Sequence, residues 1–313
     1  MIGYFGKLPG SADFVAHNAA YKDVRELDEW LQQALSRLAE CEQDWTAHVD
    51  ALPVCFFHFR ASNGYWLLGG MLASSDASGR RYPLLVFQRL GIAPSAEGSV
   101  GVHTLSETFC GQLRELLQRA VHGSADITEL QRAVDDLRGL GEADLKLHQR
   151  LLSRYLDDVR YADLSRALAP GFPEFVGTAV ALRMQDLRER LKRGETVHAV
   201  MPLPAERALK RPTADLWLYW LERASRARAK ASLLVDDFMR PQLWRFASAE
   251  PDALRLVAGL APATDRFDVL EAFDHFDPRW ALATPPAATL DMGTYITRFP
   301  GEEGAIEPNG PPL

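Results

Sequence analysis

Apolar residues follow two spacings at the start of the chain, and each spacing predicts one kind of element. The apolar run over residues 2–8 ends at Pro9 and Gly10, which predicts a strand followed by a turn. The next apolar residues recur every three to four positions, as on one face of a helix. Asp23 and Glu26 have the spacing of a capping box, which predicts where this helix begins. Its apolar face comprises Val24, Leu27, Leu31, Leu35 and Leu38.

Three further apolar runs, over residues 54–59, 65–73 and 82–90, predict a meander of strands. The first two are joined across residues 61–64, ASNG, and Asn-Gly between apolar runs is a strong hairpin signal because both residues tolerate positive φ. The runs are apolar at nearly every position, so we predict a sheet covered by helices on both faces. We expect four of their side chains to share one core: Phe57, Trp66, Leu68 and Val86.

Helical spacing dominates residues 104–193. A second capping-box pattern, Thr104 with Glu107, predicts a helix that ends at Gly123, with an apolar face that includes Phe109. Further helices are predicted over residues 126–138, 143–159 and 176–193, with Gly139 and Gly194 as helix ends.

Strand character returns after this helical stretch. Residues 197–201 predict a strand, and residues 216–221 and 232–235 predict a second pair, although Trp217 and Trp220 also suit a helix. Proline, glycine and acidic residues from residue 285 onward predict an irregular tail, with a short strand over residues 294–299.

These elements predict an α/β protein built as a three-layer α/β/α sandwich. Its sheet should be largely antiparallel and covered by helices on both faces, with an added helical insertion. We expect an N-terminal α/β region over residues 1–105 and a helical region over residues 106–195. A C-terminal α/β region over residues 196–284 should pack with the first, and residues 285–313 should form the tail.

The composition is that of a globular protein: of 313 residues, 47% are hydrophobic and 25% charged. The net charge of −7 argues against a surface built as a whole for nucleic acid. The first residues, MIGYFGK, have no secretory-leader pattern, and the longest apolar stretch, residues 65–73, is too short for membrane insertion. The three cysteines, Cys41, Cys55 and Cys110, form no disulfide or zinc pattern. We therefore expect a cytoplasmic protein.

No motif predicts catalysis, a metal or a cofactor. Residues 3–7, GYFGK, have too few residues between the glycines for a phosphate loop, and Leu8 stands where the loop needs Ser or Thr. His58 lies inside a predicted strand and is interpreted as a core or sheet-face residue. Cys55 and Cys110 are interpreted as small hydrophobes. A Cys–His nucleophile pair stays open, although nothing in the sequence nominates one.

Basic residues concentrate in residues 183–230, which carry twelve of them against six acidic ones. This excess of six positive charges leaves the rest of the chain at −13. Such an asymmetry indicates either a solvated helical face or a patch for an acidic protein partner. No stacking aromatic motif or helix-turn-helix pattern accompanies it, so we expect no nucleic acid.

Three segments in the first 90 residues resemble the TagF family, also called ImpM, of type VI secretion accessory proteins. Residues 3–15, GYFGKLPGSADFV, resemble the family's opening, and residues 74–84, SSDASGRRYPL, resemble its S-x-D-x-x-GR-x-[FY]-PL motif. Residues 27–32, LDEWLQ, lie between them and resemble its W-D-x-W-L helix. Further along, residues 216–220, LWLYW, are similar to a Trp-rich strand of the family, and residues 232–235, SLLV, to the strand after it.

The resemblance implies an α/β/α sandwich that represses type VI secretion after translation. It also implies a partner, the scaffold protein of the machine that contains a forkhead-associated domain. The alternatives are a structural or chaperone-like assembly factor of the same machine and an unrecognised hydrolase. We expect a binding protein and not an enzyme; the stoichiometry and the role of residues 120–195 stay open.

The most polar cluster lies in the loop of residues 74–81, between two predicted strands. We expect ion pairs between Lys7 and Asp76 and between Asp13 and Arg80, since the two family-like segments end in these charges. These four residues are the candidate partner-binding site. The alternative is that the charges only fix the loop against the sheet edge.

Overall fold

The computed structural model describes residues 1–91, 101–123, 125–225, 228–261, 266–270 and 285–298. The described strands are β1 (Ile2–Gly6), β2 (Val15–His17), β3 (Cys55–Arg60), β4 (Trp66–Leu72), β5 (Leu84–Leu90), β6 (His198–Pro202), β7 (Ala231–Val235), β8 (Gln242–Phe246) and β9 (Arg266–Asp268). The described helices are α1 (Lys22–Cys41), α2 (Trp45–Asp50), α3 (Val102–Leu105), α4 (Glu107–His122), α5 (Ile127–Asp135), α6 (Glu142–Asp158), α7 (Tyr161–Leu168), α8 (Gly177–Lys192), α9 (Arg207–Ser225), α10 (Ala253–Val257) and α11 (Met292–Arg298).

The described strands form one sheet in the order β2-β1-β5-β4-β3-β7-β8-β6-β9. Its neighbouring strands are antiparallel except β6 and β9, which run parallel. Cys55 on β3 lies opposite Val235 on β7, so the late strands continue the sheet that the first 90 residues begin. The predicted α/β class and the largely antiparallel sheet are confirmed.

Each face of the sheet carries its own cluster of buried side chains, because successive residues of a strand point to opposite faces. The cluster on one side, the α1 face, includes residues of α1, α2 and α10. The cluster on the other side, the α4 face, includes residues of α3 to α9 and α11. Helices therefore pack against both faces, which explains why the strands are apolar at nearly every position.

The expectation that Phe57, Trp66, Leu68 and Val86 share one core is wrong. All four are buried, but Phe57 lies on the α1 face, whereas Leu68 and Val86 lie on the α4 face. Phe57 is paired with Gly69, the residue after Leu68, and this offset of one residue places the two side chains on opposite faces.

Both predicted capping boxes in the first 110 residues are wrong, because their side chains form hydrogen bonds with residues distant in sequence and not with the helix N-terminus. Asp23 lies inside α1 and accepts a hydrogen bond from Arg89 at 2.6 Å. Glu26 accepts one from the Ser62 hydroxyl at 2.7 Å. Thr104 lies in α3, and α4 begins after it at Glu107. The apolar faces predicted for both helices are nevertheless buried, as expected.

Residues 216–221 form part of α9, so the paired strand predicted there is wrong and the helical alternative holds. This part of α9 is buried almost all round, because the helix packs against α3, α6, α8 and α11. A helix without a polar face shows no helical periodicity, and its tryptophans then resemble a strand. The short strand predicted over residues 294–299 is also wrong, since α11 is helical through Arg298; residue 299 lies outside the described residues.

The other predicted elements agree with the structure. Residues 232–235 lie in β7, and residues 197–201 overlap β6. The predicted helices over residues 126–138, 143–159 and 176–193 correspond to α5, α6 and α8. Gly194 adopts positive φ after α8, as a helix-ending glycine does.

Candidate functional site

Asp76 is the centre of the loop that connects β4 to β5. Its carboxylate is buried and forms an ion pair with Lys7, which follows β1. It also accepts hydrogen bonds from the Ser78 hydroxyl at 2.6 Å and from Arg80 Nε at 2.7 Å. Two backbone N–H groups of the same loop, those of Ser78 and Arg80, donate to it at 3.0 Å. Hydrogen bonds from Lys7 and Ser78, with those from Arg80, hold the pKa of the Asp76 carboxyl well below its usual range.

The same loop is closed by a tight turn and fastened to the N-terminal segment. Gly79 N–H donates to Asp76 O at 2.9 Å, and Gly79 has φ of +84°, which favours glycine. Ala77 N–H donates to Ser11 O at 2.8 Å, and Arg80 Nη2 donates to Ala12 O at 2.9 Å. The two family-like segments thus meet around one carboxylate.

The structure brings together three of the four candidate residues. The predicted pair of Lys7 with Asp76 is confirmed. The predicted pair of Asp13 with Arg80 is wrong, because Arg80 pairs with Asp76, four residues before it in the turn. Asp13 is an exposed residue of the neighbouring turn, where its backbone N–H bonds to the Ser11 hydroxyl. Arg80 keeps 65% of its side chain exposed.

Phe14 is a surface residue that the sequence reasoning did not single out. It follows Asp13, leads into the edge strand β2, and is 44% exposed. Its ring contacts the ring of Tyr82, with centroids 5.4 Å apart, and it lines an open groove beside Ala16. Its exposure could have been suspected from the sequence. Phe14 follows the acidic Asp13 and lies outside every predicted strand and helix, so no predicted element buries its ring.

A second polar cluster lies inside the protein, on the α4 face. The Ser232 hydroxyl lies between two histidine nitrogens, His58 Nδ1 at 2.6 Å and His103 Nε2 at 2.7 Å. Asp215 on α9 accepts the backbone N–H groups of His103 at 3.0 Å and of Thr104 at 2.7 Å, so it caps α3. Burial raises the pKa of Asp215 to about 7, and these hydrogen bonds oppose that shift.

This buried cluster resembles a nucleophile and a base only in composition. Ser232, His58 and His103 are each at most 2% exposed, so a substrate has no access to the hydroxyl. Asp215 bonds to the backbone of His103 and not to its ring, so it does not orient the imidazole as a triad carboxylate does. The interpretation of His58 as a core residue is confirmed. Cys55 and Cys110 are buried on opposite faces, as small hydrophobes are.

Several basic residues of the stretch over residues 183–230 form ion pairs within the fold. Arg190 and Arg193 pair with Glu195, and Lys230 pairs with Glu26. Arg226 lies outside the described residues. Three others, Arg207, Lys210 and Arg211, lie in the first two turns of α9.

Two further observations concern only the part of the chain that the structure describes. Its His, Cys, Asp and Glu side chains form no group of three that could hold a metal ion. None of the helices described above is both long and apolar enough to cross a membrane.

The N-terminal motifs, joined around Asp76 at one end of the sheet, define an α/β protein of the type VI secretion-associated class. Residues 3–137 match the sequence model of the TagF N-terminal domain, type VI secretion system-associated. This match is to the N-terminal domain of the TagF family, and it confirms the resemblance over these residues.

No curated protein matches the chain. Among solved structures, it is similar to the crystal structure of PA0076 from Pseudomonas aeruginosa PAO1, with 23% identity and a TM-score of 0.39. The alignment covers 44% of this chain and 63% of that one, so it spans less than two thirds of the solved protein.

Proposed function

We propose that this chain is a cytoplasmic regulator that represses a type VI secretion machine after translation, by binding its scaffold protein with a forkhead-associated domain. The observation that supports a binding role is the geometry around Asp76. The buried carboxylate fixes two loops, and these loops present Asp13, Phe14 and Arg80 to solvent at one end of the sheet. An exposed aromatic residue flanked by charges, on a fixed backbone, is typical of a protein–protein interface.

The buried and the exposed residues of this site have different roles. Asp76 is buried and positions the loops, so it acts on the surface only indirectly. Arg80 and Phe14 are exposed and can contact a partner. We therefore propose Phe14 as the apolar anchor, Arg80 and Asp13 as the charged rim, and Lys7 as a support that neutralises Asp76.

Substituting the exposed residues should weaken binding without unfolding the chain. We expect Phe14→Ala and Arg80→Ala each to weaken binding of the scaffold protein by about tenfold. The melting temperature should be almost unchanged in Phe14→Ala, and it should fall less in Arg80→Ala than in Asp76→Ala, because Lys7 still pairs with Asp76. Asp76→Ala should lower the melting temperature clearly, because Lys7 and two loop N–H groups lose their acceptor. Calorimetric titration with the purified scaffold protein and thermal unfolding measure the two effects.

The matched control is Arg166→Ala on α7, whose side chain is 78% exposed and forms a similar short-range pair with Asp163. It should bind like the wild type. Wild-type affinity in both Phe14→Ala and Arg80→Ala would place the partner surface elsewhere.

The sign of the regulation is tested in cells. Deletion of the gene should increase secretion of the machine's effectors if the protein represses it. Decreased secretion would contradict repression and favour the assembly factor.

A further inference from the structure

The strand β2 lies at one edge of the sheet, and β1 is its only neighbour among the described strands. Its middle residue, Ala16, is exposed. An edge strand presents main-chain N–H and C=O groups with which another extended chain can pair. The register of β1 and β5 decides which residue of β2 presents these groups.

Hydrogen bonds on both sides of β1 fix the direction of its backbone groups. The Arg89 N–H donates to Met1 O at 2.9 Å, so Met1 bonds toward β5. Along an antiparallel strand, the N–H and C=O groups of successive residues point alternately to the two neighbouring strands. Ile2 and Tyr4 therefore bond toward β2. The Ile2 carbonyl agrees with this direction, since it accepts a hydrogen bond from Asn18 Nδ2 at 2.7 Å.

The same alternation directs the backbone groups of Ala16 away from the sheet. Tyr4 lies opposite His17, and Gly6 lies opposite Val15. Because Tyr4 and Gly6 bond toward β2, the N–H and C=O groups of His17 and Val15 bond toward β1. Those of Ala16 then point outward, where no described strand pairs with them. One N–H and one C=O at the centre of β2 are therefore available to a further strand.

A groove of about 410 Å³ lies beside this edge, on the α1 face. The Ala16 side chain belongs to that face, because Ala16 is opposite Phe5. The apolar residues that line the groove are Phe5, Phe14, Ala16, Ala19, Ala20 and Val24. Arg25 and Asp28 also line it and carry opposite charges, so the groove favours neither sign of charge. Because the Ala16 side chain is small, a larger apolar side chain placed opposite it can enter the groove.

We propose that an extended segment of the protein partner binds here as a further strand, paired with β2. This mode of binding rests on the proposed function, because it concerns the surface around Phe14. The segment exchanges two hydrogen bonds with Ala16, and its residue opposite Ala16 places a large apolar side chain in the groove, next to Phe14. Two hydrogen bonds alone give little affinity, so the side chain in the groove supplies the rest of the affinity and the specificity.

A second copy of this chain fits the same edge less well. If two β2 strands paired about Ala16, each groove would receive only the methyl group of the other Ala16. A groove of this volume needs a larger side chain, so a segment of different sequence fills it better. We therefore expect a partner segment at this edge and not a dimer.

The substitution Ala16→Pro tests the direction of the backbone. It removes the outward N–H and leaves the hydrogen bonds of β2 to β1 in place, as in edge strands that contain proline. We expect Ala16→Pro to weaken binding of the purified scaffold protein by about tenfold, with an almost unchanged melting temperature. The matched control is His17→Pro, which removes an N–H directed at β1 and should lower the melting temperature. Calorimetric titration and thermal unfolding measure the two effects.

Amide hydrogen exchange in the wild-type protein gives a readout that needs no substitution. Measured by NMR, the Ala16 amide should exchange about tenfold more slowly with saturating scaffold protein than in the free chain. The amides of Val15 and His17 bond toward β1, so in the free chain they should exchange more slowly than that of Ala16.

The outcomes separate strand addition from the proposed function. Wild-type affinity in Ala16→Pro, or equal exchange of the Ala16 amide with and without the scaffold protein, would overturn strand addition. Weak binding of Phe14→Ala would then still support the proposed function. Strand addition is also overturned if Ala16→Pro lowers the melting temperature as much as His17→Pro, or if it dissociates a dimer of the free chain. If the wild-type chain does not bind the scaffold protein, both proposals fail.

Discussion

Truncation of Phe57 to alanine should lower the free energy of unfolding by about 3–5 kcal/mol. Phe57 is buried on the α1 face of a central strand. Its ring occupies the space left by Gly69, where an added Cβ would lie 3.0 Å from the Phe57 ring. Because neighbouring backbone fixes Gly69 as well, the cavity left by the ring cannot collapse easily. Chemical denaturation at constant pH measures the loss.

The control for this prediction is Phe238→Ala, which removes the same ring from an exposed position. Its free energy of unfolding should stay within about 0.5 kcal/mol of the wild type. A loss below about 1 kcal/mol for Phe57→Ala would show that the sheet repacks around the missing ring.

The strands were predictable because their apolar runs are long. The face of the sheet on which each of their side chains lies was not predictable. A strand that is buried on both sides shows no alternation of apolar and polar residues, so the sequence does not show which face of the sheet each side chain occupies. Phe57 and Leu68 were therefore assigned to one core, although the register places them on opposite faces. Only the pairing of the two strands decides the face.

One contact of the site, the pair of Lys7 with Asp76, was predictable from the sequence motifs. Lys7 and Asp76 belong to the two family-like segments, and the structure pairs them. The pairing of Arg80 was not predictable in the same way, because the turn folds Arg80 back onto Asp76 and leaves Asp13 in solvent. Turn geometry, with Gly79 at positive φ, decides this contact.

The buried polar cluster could not be predicted, since its members are far apart in sequence. Ser232 lies 174 residues from His58 and 129 from His103. Asp215 directly precedes residues 216–221, for which strand and helix were both open, and only α9 places its carboxylate at the start of α3. The hydrogen bonds that satisfy these polar groups exist only in the complete fold.

The buried histidines should make the protein less stable as the pH falls from 7 to 5. Burial lowers the pKa of His58 to about 3, with Arg60 and Arg245 contributing, and the pKa of His103 well below its usual range. Both rings are therefore neutral in the fold, whereas in the unfolded chain they titrate near 6.5. Below that pH the unfolded chain binds protons that the fold does not, so each histidine costs about 2 kcal/mol of stability at pH 5.

Asp215 acts in the opposite direction over the same pH range. Its pKa is raised by burial from 3.8 to about 7, so the fold holds a proton that the unfolded chain releases. The stability that this proton contributes is present at low pH and is lost as the pH rises toward 7. Between pH 7 and 5 the carboxyl therefore offsets about 2–3 kcal/mol of the loss from the two histidines.

Single substitutions separate these opposing contributions. From pH 7 to 5, His58→Gln should lose about 2 kcal/mol less stability than the wild type, and Asp215→Asn should lose about 2–3 kcal/mol more. The control is His48→Gln, which changes an exposed histidine in the same way and should follow the wild type. Denaturant titrations of the four proteins at both pH values give eight free energies of unfolding, and hence one loss for each protein. Equal losses in the wild type and His58→Gln would mean that His58 accepts a proton without unfolding, so the cluster opens to water in the native state.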